Sequence, residues 1–294
     1  MKPESYILIT PAKNEAKFIG ALIESILAQT RRPSRWVIID DGSTDQTGQI
    51  VQRYADLHTF ISLLRLGSEK RSFGSKAKAF SHAYAQVKDL EFDFIGNLDA
   101  DVTLQPDYYE RVFERMGKDP HLGVAGGVIW DKTGETYKRS ISGEHHTPGA
   151  VMLFRRRCLE DVGGVHPVSV AGEDSIALFT ARMKGWGTRS YRDLPVYHHK
   201  PVGSSDGNAC RQCHREGLTE YHIGTHPVFA LAKAVRRIPT RPYFVGSLIR
   251  LAGYTQLWLA GAKRDASPEL TAYVHREQLS RLLHFFRGTP PKAE

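Results

Sequence analysis

Cysteine is scarce, with three residues in a chain of 294. So sparse and odd a set excludes a disulfide framework and points to a reducing compartment. Low-complexity tracts and internal repeats are missing, which excludes repeat architectures. The opening residues, MKPESYILITPAKNE, carry neither the apolar core nor the small-residue cleavage site of a secretion signal, so the expected location is the cytoplasm. A clean membrane span is missing too. The longest apolar run, YFVGSLIRLAGYTQLWLAGA, is just long enough to cross a bilayer, but Arg250 lies near its middle. A central arginine costs about 2.5–3.5 kcal/mol on insertion scales. Acidic residues run short in the last quarter: from His226 onward there are 11 Lys or Arg against 4 Asp or Glu, which accounts for nearly all of the net charge of +8.

What remains is ordinary globular usage, 41% hydrophobic and 24% charged, in a chain long enough for one large domain or a domain with an extension. YILIT reads as a buried strand. From Glu15 the period changes, and Ile19, Leu22, Ile23, Ile26 and Leu27 share a helical face. RWVIID, ISLLRL and FDFIGNLDAD read as further strands, separated by helices with Ile50, Val51 and Tyr54 and over SKAKAFSHAYAQV. Strands alternating with helices imply parallel pairing with helices on both faces, and ligands bind such sheets at the carboxyl ends of strands. GVAGGVIW and GAVMLFRR read as strands, CLEDVGG and EDSIALFTARMKG as helices, and RSYRDLPVYHHK as a last extended segment. The loop PVGSSDGNAC is the expected boundary.

Two apolar runs end in acids. VIIDDGSTD delivers Asp40 and Asp41, and FIGNLDADV delivers Asp99 and Asp101. Paired carboxylates at strand ends repel, so a cation or hydrogen-bond donors are expected between them. Asp41 can accept from the ring N–H of uracil or guanine. The alternative is that Asp40 and Asp41 cap the turn and the helix after it. Alternate residues of an extended segment face one way, which lets Asp99 and Asp101 reach one site. Hard oxygen ligands suit Mg²⁺ or Mn²⁺. AGED opens a helix, so Glu173 and Asp174 stand in its first turn, where the helix dipole keeps them ionised. His198 and His199 are adjacent in an extended run and point opposite ways, so only one faces the cation.

TPAKNEAKFIGALIESILAQT, VIIDDGSTDQT, LDAD, GEDSIALFTARMKGWG and VYHHK follow one another as in glycosyltransferase family 2, and the resemblance covers about Tyr6 to Gly203. The chain resembles the bacterial members that build surface polysaccharides. The resemblance implies a GT-A fold: α/β, Rossmann-like, with a mostly parallel sheet flanked by helices and a C-terminal helical extension. It implies an inverting transferase that uses a UDP- or GDP-sugar and Mg²⁺ or Mn²⁺. Residues 1–205 become the catalytic domain, with a nucleotide-sugar half, 1–101, and an acceptor half, 102–205. Residues 206–294 become a basic, partly apolar extension. Thr10, Pro11, Ala12, Glu15, Asp40, Asp41, Lys76, Asp99 and Ala100 are thereby given to the nucleotide-sugar. Asp101, Asp99 and His198 are given to the metal, Asp174 to the general base and Glu173 to the acceptor.

Other classes have weaker signals. A sugar nucleotidyltransferase needs a Gly-rich loop after the first strand, and TPAKNEA has no glycine. CRQCH has the C-x-x-C-H form of c-type haem attachment, but such haem is attached outside the cytoplasm, and none is expected. A non-catalytic module binding nucleic acid or membrane is the remaining alternative, and no nucleic acid is expected as a partner. The acceptor is expected to be a saccharide or a lipid-linked molecule. The aromatic and basic tail suits helices lying on an anionic membrane, at the inner face of the cell membrane. The competing reading of the tail is a helical pair packed on the catalytic domain.

Overall fold

The computed structural model describes residues 4–67, 74–140, 143–200, 208–240 and 242–287. The chain begins with three βα units and a fourth strand. β1 (Tyr6–Ala12), β2 (Arg35–Asp41), β3 (Ile61–Leu66) and β4 (Phe94–Leu98) alternate with α1 (Ile19–Leu27), α2 (Thr47–Leu57) and α3 (Ser75–Val87). These strands are apolar without polar alternation because helices cover both faces of the sheet. They pair in parallel, in the order β3-β2-β1-β4. Ile19, Leu22, Ile23 and Ile26 of α1 are fully buried, as their helical spacing predicts.

The sheet then changes character. β5 (Val102–Leu104), α4 (Tyr108–Lys118), β6 (Leu122–Thr133), β7 (Thr136–Arg139), β8 (Val151–Arg155), α5 (Arg156–Val162), α6 (Glu173–Met183) and β9 (Gly187–His198) follow. β8 runs antiparallel between β4 and β6, while β9 is parallel to β6 and antiparallel to β5. The result is a mixed sheet in the order β3-β2-β1-β4-β8-β6-β9-β5, with β7 paired to β6. The expected fourth strand is shorter than its apolar run: β4 stops at Leu98, and Asp99 to Asp101 form the turn into β5. α4, which packs Tyr108, Tyr109, Val112, Phe113 and Met116 into the core, was not expected from the sequence.

Four helices follow: α7 (Ala209–His222), α8 (Pro227–Arg236), α9 (Tyr243–Leu259) and α10 (Pro268–Arg287). The expected boundary at 205/206 lies within 201–207, outside the described residues. Two compact units are formed, Met1–Pro167 with Lys184–Val202, and Val168–Met183 with Gly203–Glu294. The α6 segment belongs to the second unit because Ile176, Phe179 and Met183 pack on Leu270 and Val274 of α10. Arg182 also pairs with Glu277 at 3.0 Å, and Ser169 donates to Asp265. Within this unit α7 and α9 approach closely: a Cβ at Gly217 would collide with the carbonyl of Arg250, and one at Gly253 with that of His214. Among the described residues no helix is long and apolar enough to cross a membrane.

Candidate active site

Parallel pairing brings the carboxyl ends of β1, β2 and β4 to one edge. Ala12 is level with Asp40 across β1 and β2, and Ile9 with Asn97 across β1 and β4, so Asp41 and Asp99 flank the end of β1. Two loops are tied together there. Asn14 adopts a left-handed φ of 57°, and its side-chain oxygen accepts from Thr44 N at 2.8 Å. Glu15 N donates to Thr47 Oγ1 at 2.8 Å, and Ala16 N to Asp45 Oδ2 at 3.1 Å.

Asp40 is buried, and its Oδ1 accepts from Ser43 N at 2.9 Å. A side chain at Gly48 would strike its other oxygen, so glycine there lets Asp40 hold the turn. Asp41 keeps its carboxylate at the rim, with Lys13 Nζ at 3.8 Å. Thr10 is placed differently: its side chain is fully buried, and Oγ1 accepts from Trp36 Nε1 at 3.0 Å. Ala12 and Ala100 are also buried in the core, so only their backbones can meet a ligand. Pro11, near the end of β1, is half-buried and more exposed than either alanine.

Asp99 and Asp101 meet through the turn rather than through an extended strand. Asp99 N donates to Ala150 O at 2.9 Å, and its carboxylate holds the ammonium of Lys76, at the start of α3. Burial pushes the Asp99 carboxyl above its ordinary range; Lys76 pulls it back and Asp101 pushes it further up. For Asp101 burial also acts upward, but His198, Lys200 and Lys76 overcome it and hold the group below its ordinary value.

His198 lies between two carboxylates, with Nε2 3.3 Å from Asp101 Oδ2 and Nδ1 2.8 Å from Asp131 Oδ1. Burial works against its charge, yet the hydrogen bonds to both aspartates lift its pKa to about 9. His199 points the other way. Its ring nitrogens meet the hydroxyls of Thr103 and Tyr137, each at 2.8 Å, and burial lowers its pKa. Glu15 Oε1 accepts from Lys200 Nζ at 2.6 Å.

Asp131 and Lys200 are the additions. Asp131 ends the apolar part of β6 and pairs in register with His198 on β9. The signal was present in GGVIWD, an apolar run that delivers an acid, as in VIIDD. Lys200 follows the two histidines directly, but its partner Glu15 stands 185 residues away, which no local pattern reveals.

Glu173 and Asp174 belong to the second unit. They occupy the first turn of α6, which Ile176 N closes by donating to Gly172 O at 2.9 Å. Asp174 Oδ1 accepts from Ser175 N at 2.7 Å, leaving lone pairs for a further donor.

Carboxylates with one imidazole are suitable donors for a hard divalent cation. Among the described residues no three His, Cys, Asp or Glu side chains form a ready-made cage. The charges of Asp99 and Asp101 are met instead by Lys76 and His198. In donor type, two carboxylates and one imidazole, the set fits a divalent cation.

A solved structure of a mannosyltransferase from Pyrobaculum calidifontis, in complex with GDP-Man and Mn²⁺, superposes with a TM-score of 0.58 at 19% identity, covering 96% of this chain and 81% of that one. TarS 1-349 of S. aureus in complex with UDP-GlcNAc gives 0.55 at 17% identity, covering 95% and 81%. At these identities the likeness is one of fold. The poly-beta-1,6-N-acetyl-D-glucosamine synthase of Staphylococcus aureus is 25% identical over 124 residues, 42% of this chain and 28% of the synthase. Matches to the first curated relatives span only 15 to 37% of their length. A model of "Glycosyltransferase like family 2" matches residues 139–219. The model described as "Glycosyl transferase family 2" matches residues 7–170, more than half the chain, and takes in every rim acid described above. With the sheet carrying acids at the ends of β2 and β4, the chain belongs to glycosyl transferase family 2.

Proposed function

We propose that the chain transfers a sugar from a UDP- or GDP-sugar to a hydroxyl of a saccharide or lipid-linked acceptor, with inversion, in polysaccharide or glycolipid synthesis. One observation carries this reading: Asp41, Asp99 and Asp101 stand at one sheet edge, with Lys76 against Asp99 and His198 against Asp101. Mixed acids and cations of this kind are what a diphosphate and a divalent ion need together.

In this reading Asp41 accepts from the N–H of the nucleobase, with Pro11 and the backbone of Ala12 beside it. Asp99 and the Ala100 backbone face the ribose and diphosphate. Asp101, Asp99 and His198 would hold Mg²⁺ or Mn²⁺, which when bound supplies positive charge beside the leaving diphosphate. Lys76, at the start of α3 beside Asp99, would turn to the phosphates. Asp174 takes the proton of the acceptor hydroxyl while Glu173 orients that acceptor. The acceptor oxygen bonds to the anomeric carbon as the carbon–oxygen bond to phosphate breaks, and the nucleoside diphosphate leaves. A single displacement from the opposite side inverts the carbon. A lipid-linked acceptor lies in a membrane, and the basic C-terminal extension is the part of the chain suited to an anionic one at its inner face.

The test is a thermal-shift screen of nucleotides and nucleotide-sugars with and without Mn²⁺. A ligand at about 100 times its Kd stabilises by about 2.7 kcal/mol. Selective stabilisation by uridine or guanosine diphosphate species, only with metal, is expected. Equal response to all nucleotides, or none, refutes the reading.

A further inference from the structure

From His226 to Arg264 the chain has no Asp or Glu, and it carries seven Lys or Arg. This stretch builds α8 and α9, and both helices leave apolar rows uncovered. On α8, Val228, Leu231 and Val235 follow one another at helical spacing and are 53%, 52% and 58% exposed. On α9, Phe244, Leu248 and Leu259 are 56%, 50% and 78% exposed. Monomeric proteins seldom expose so many large apolar side chains on adjoining elements.

The inward faces are already occupied. Ser247 donates to Ala234 O at 2.8 Å, joining α9 to α8, while Gly217 and Gly253 let α7 press against α9. Four of the cations turn inward as well, Arg264 lying over the Tyr221 ring at 4.4 Å. Lys233 pairs with Glu220, and Arg237 and Arg250 share Glu216. Arg250, which weakens the apolar run as a membrane span, is therefore drawn into the helix pair by Glu216. Arg236 ends α8 and Lys263 follows α9, and both are exposed. Arg241 lies outside the described residues.

We propose that the outward rows of α8 and α9 dock this chain in the plane of an anionic phospholipid membrane. Apolar side chains enter the acyl boundary, while Arg236 and Lys263 meet lipid phosphates. Neither helix is long and apolar enough to span, so both lie along the surface. Tyr243 and Trp258, 55% and 53% exposed near the two ends of α9, add rings of the kind that favour the headgroup zone. Charge selects the occupant: Arg236 and Lys263 stay exposed beside the apolar rows in a stretch without a single acid, which fits an anionic lipid surface and disfavours a second copy of the same face. The proposal deepens the reading of a lipid-linked acceptor by naming the surface that meets the lipid. Docking is read without turnover, so the two can fail separately.

The experiment is sedimentation of the full chain with vesicles of phosphatidylcholine alone and of phosphatidylcholine mixed with phosphatidylglycerol. Each exposed cation contributes about 1 kcal/mol at an anionic surface, so at least about tenfold tighter binding to the mixed vesicles is expected, falling as salt rises. Leu231→Glu with Leu248→Glu should weaken binding at least about tenfold, as two apolar anchors are replaced by charges. Arg236→Glu with Lys263→Glu should erase the preference for anionic vesicles. Leu57→Glu, at an exposed leucine of α2, should change nothing. Thermal melts of each variant check that it is folded. Equal binding to neutral and anionic vesicles overturns the proposal. So does a lipid-free dimer that the Leu231 and Leu248 substitutions dissociate, since that assigns the face to a second copy.

Discussion

Replacing Asp131 by Asn tests how the rim is held together. The substitution keeps the side-chain shape and removes one of the two carboxylates that charge His198. Those carboxylates raise the imidazole from 6.5 to about 9. At 1.36 kcal/mol per pKa unit the net shift amounts to about 3 kcal/mol, what remains of the pull of Asp101 and Asp131 after burial has opposed it. The His198 side chain is only 20% exposed, so solvent screening removes little of this. Losing one carboxylate should lower the pKa by about one unit and cost about 1–2 kcal/mol. The sign follows from the direction of the shift. A histidine raised on folding gives its full stabilisation below pH 6.5 and loses it as pH rises through about 9. The variant should therefore be less stable than the wild type at pH 6, and that part of the deficit should vanish by about pH 10. The assay is denaturant unfolding of chelator-treated protein at both pH values, with the His198 imidazole followed by NMR. A variant whose His198 still titrates near 9, or whose deficit is independent of pH, refutes the assignment of Asp131 as its partner.

Asp174→Asn should keep nucleotide-sugar binding and lose transfer by about 10²–10⁴-fold, as expected for a lost general base; normal turnover would remove Asp174 from that role. Gly217→Ala should cost about 1–3 kcal/mol, because the added carbon meets the Arg250 carbonyl, and an unchanged urea midpoint would contradict the close packing of α7 on α9. The arginines Arg115 and Arg111 hold the Asp193 carboxyl down at about 2. Its stabilising share is present above the unfolded value of 3.8 and is lost as pH falls towards 2, so Asp193→Asn should flatten the acid limb of stability. The side chain is 56% exposed, which keeps the effect below about 1 kcal/mol.

The first half of the fold is legible because each βα unit repeats one pattern: an apolar strand, a polar turn, then an amphipathic helix. β1 to β4 follow it, and their parallel order brings the rim acids to one edge. The second half is harder because its elements are defined by distant partners. α4 starts inside LQPDYYERV, and what defines it as a buried helix is the packing of Tyr109 and Phe113 against Tyr6 and Phe94 from distant strands. β7 is polar and mostly exposed; it is a strand only because β6 runs on past Trp130 to pair with it. The same extension carries Asp131 to His198. Thr10 shows the limit of motif reasoning: its position matches the nucleotide half, while its hydroxyl serves the Trp36 indole. The alternation that separates His198 from His199 was legible, since two adjacent residues of a strand face opposite ways. Which of them meets Asp101 required the register of β9 with β6 and β5.

The most direct measurement is calorimetric binding of UDP and GDP to the wild type and to Asp101→Asn, each with Mn²⁺ and with chelator. The account predicts that one of the two nucleotides binds only with Mn²⁺, and that Asp101→Asn weakens that binding at least about tenfold, or 1.4 kcal/mol. Equal affinity in chelator, or an Asp101→Asn protein that binds as the wild type does, would contradict the claim that the acidic rim receives its diphosphate through a divalent ion.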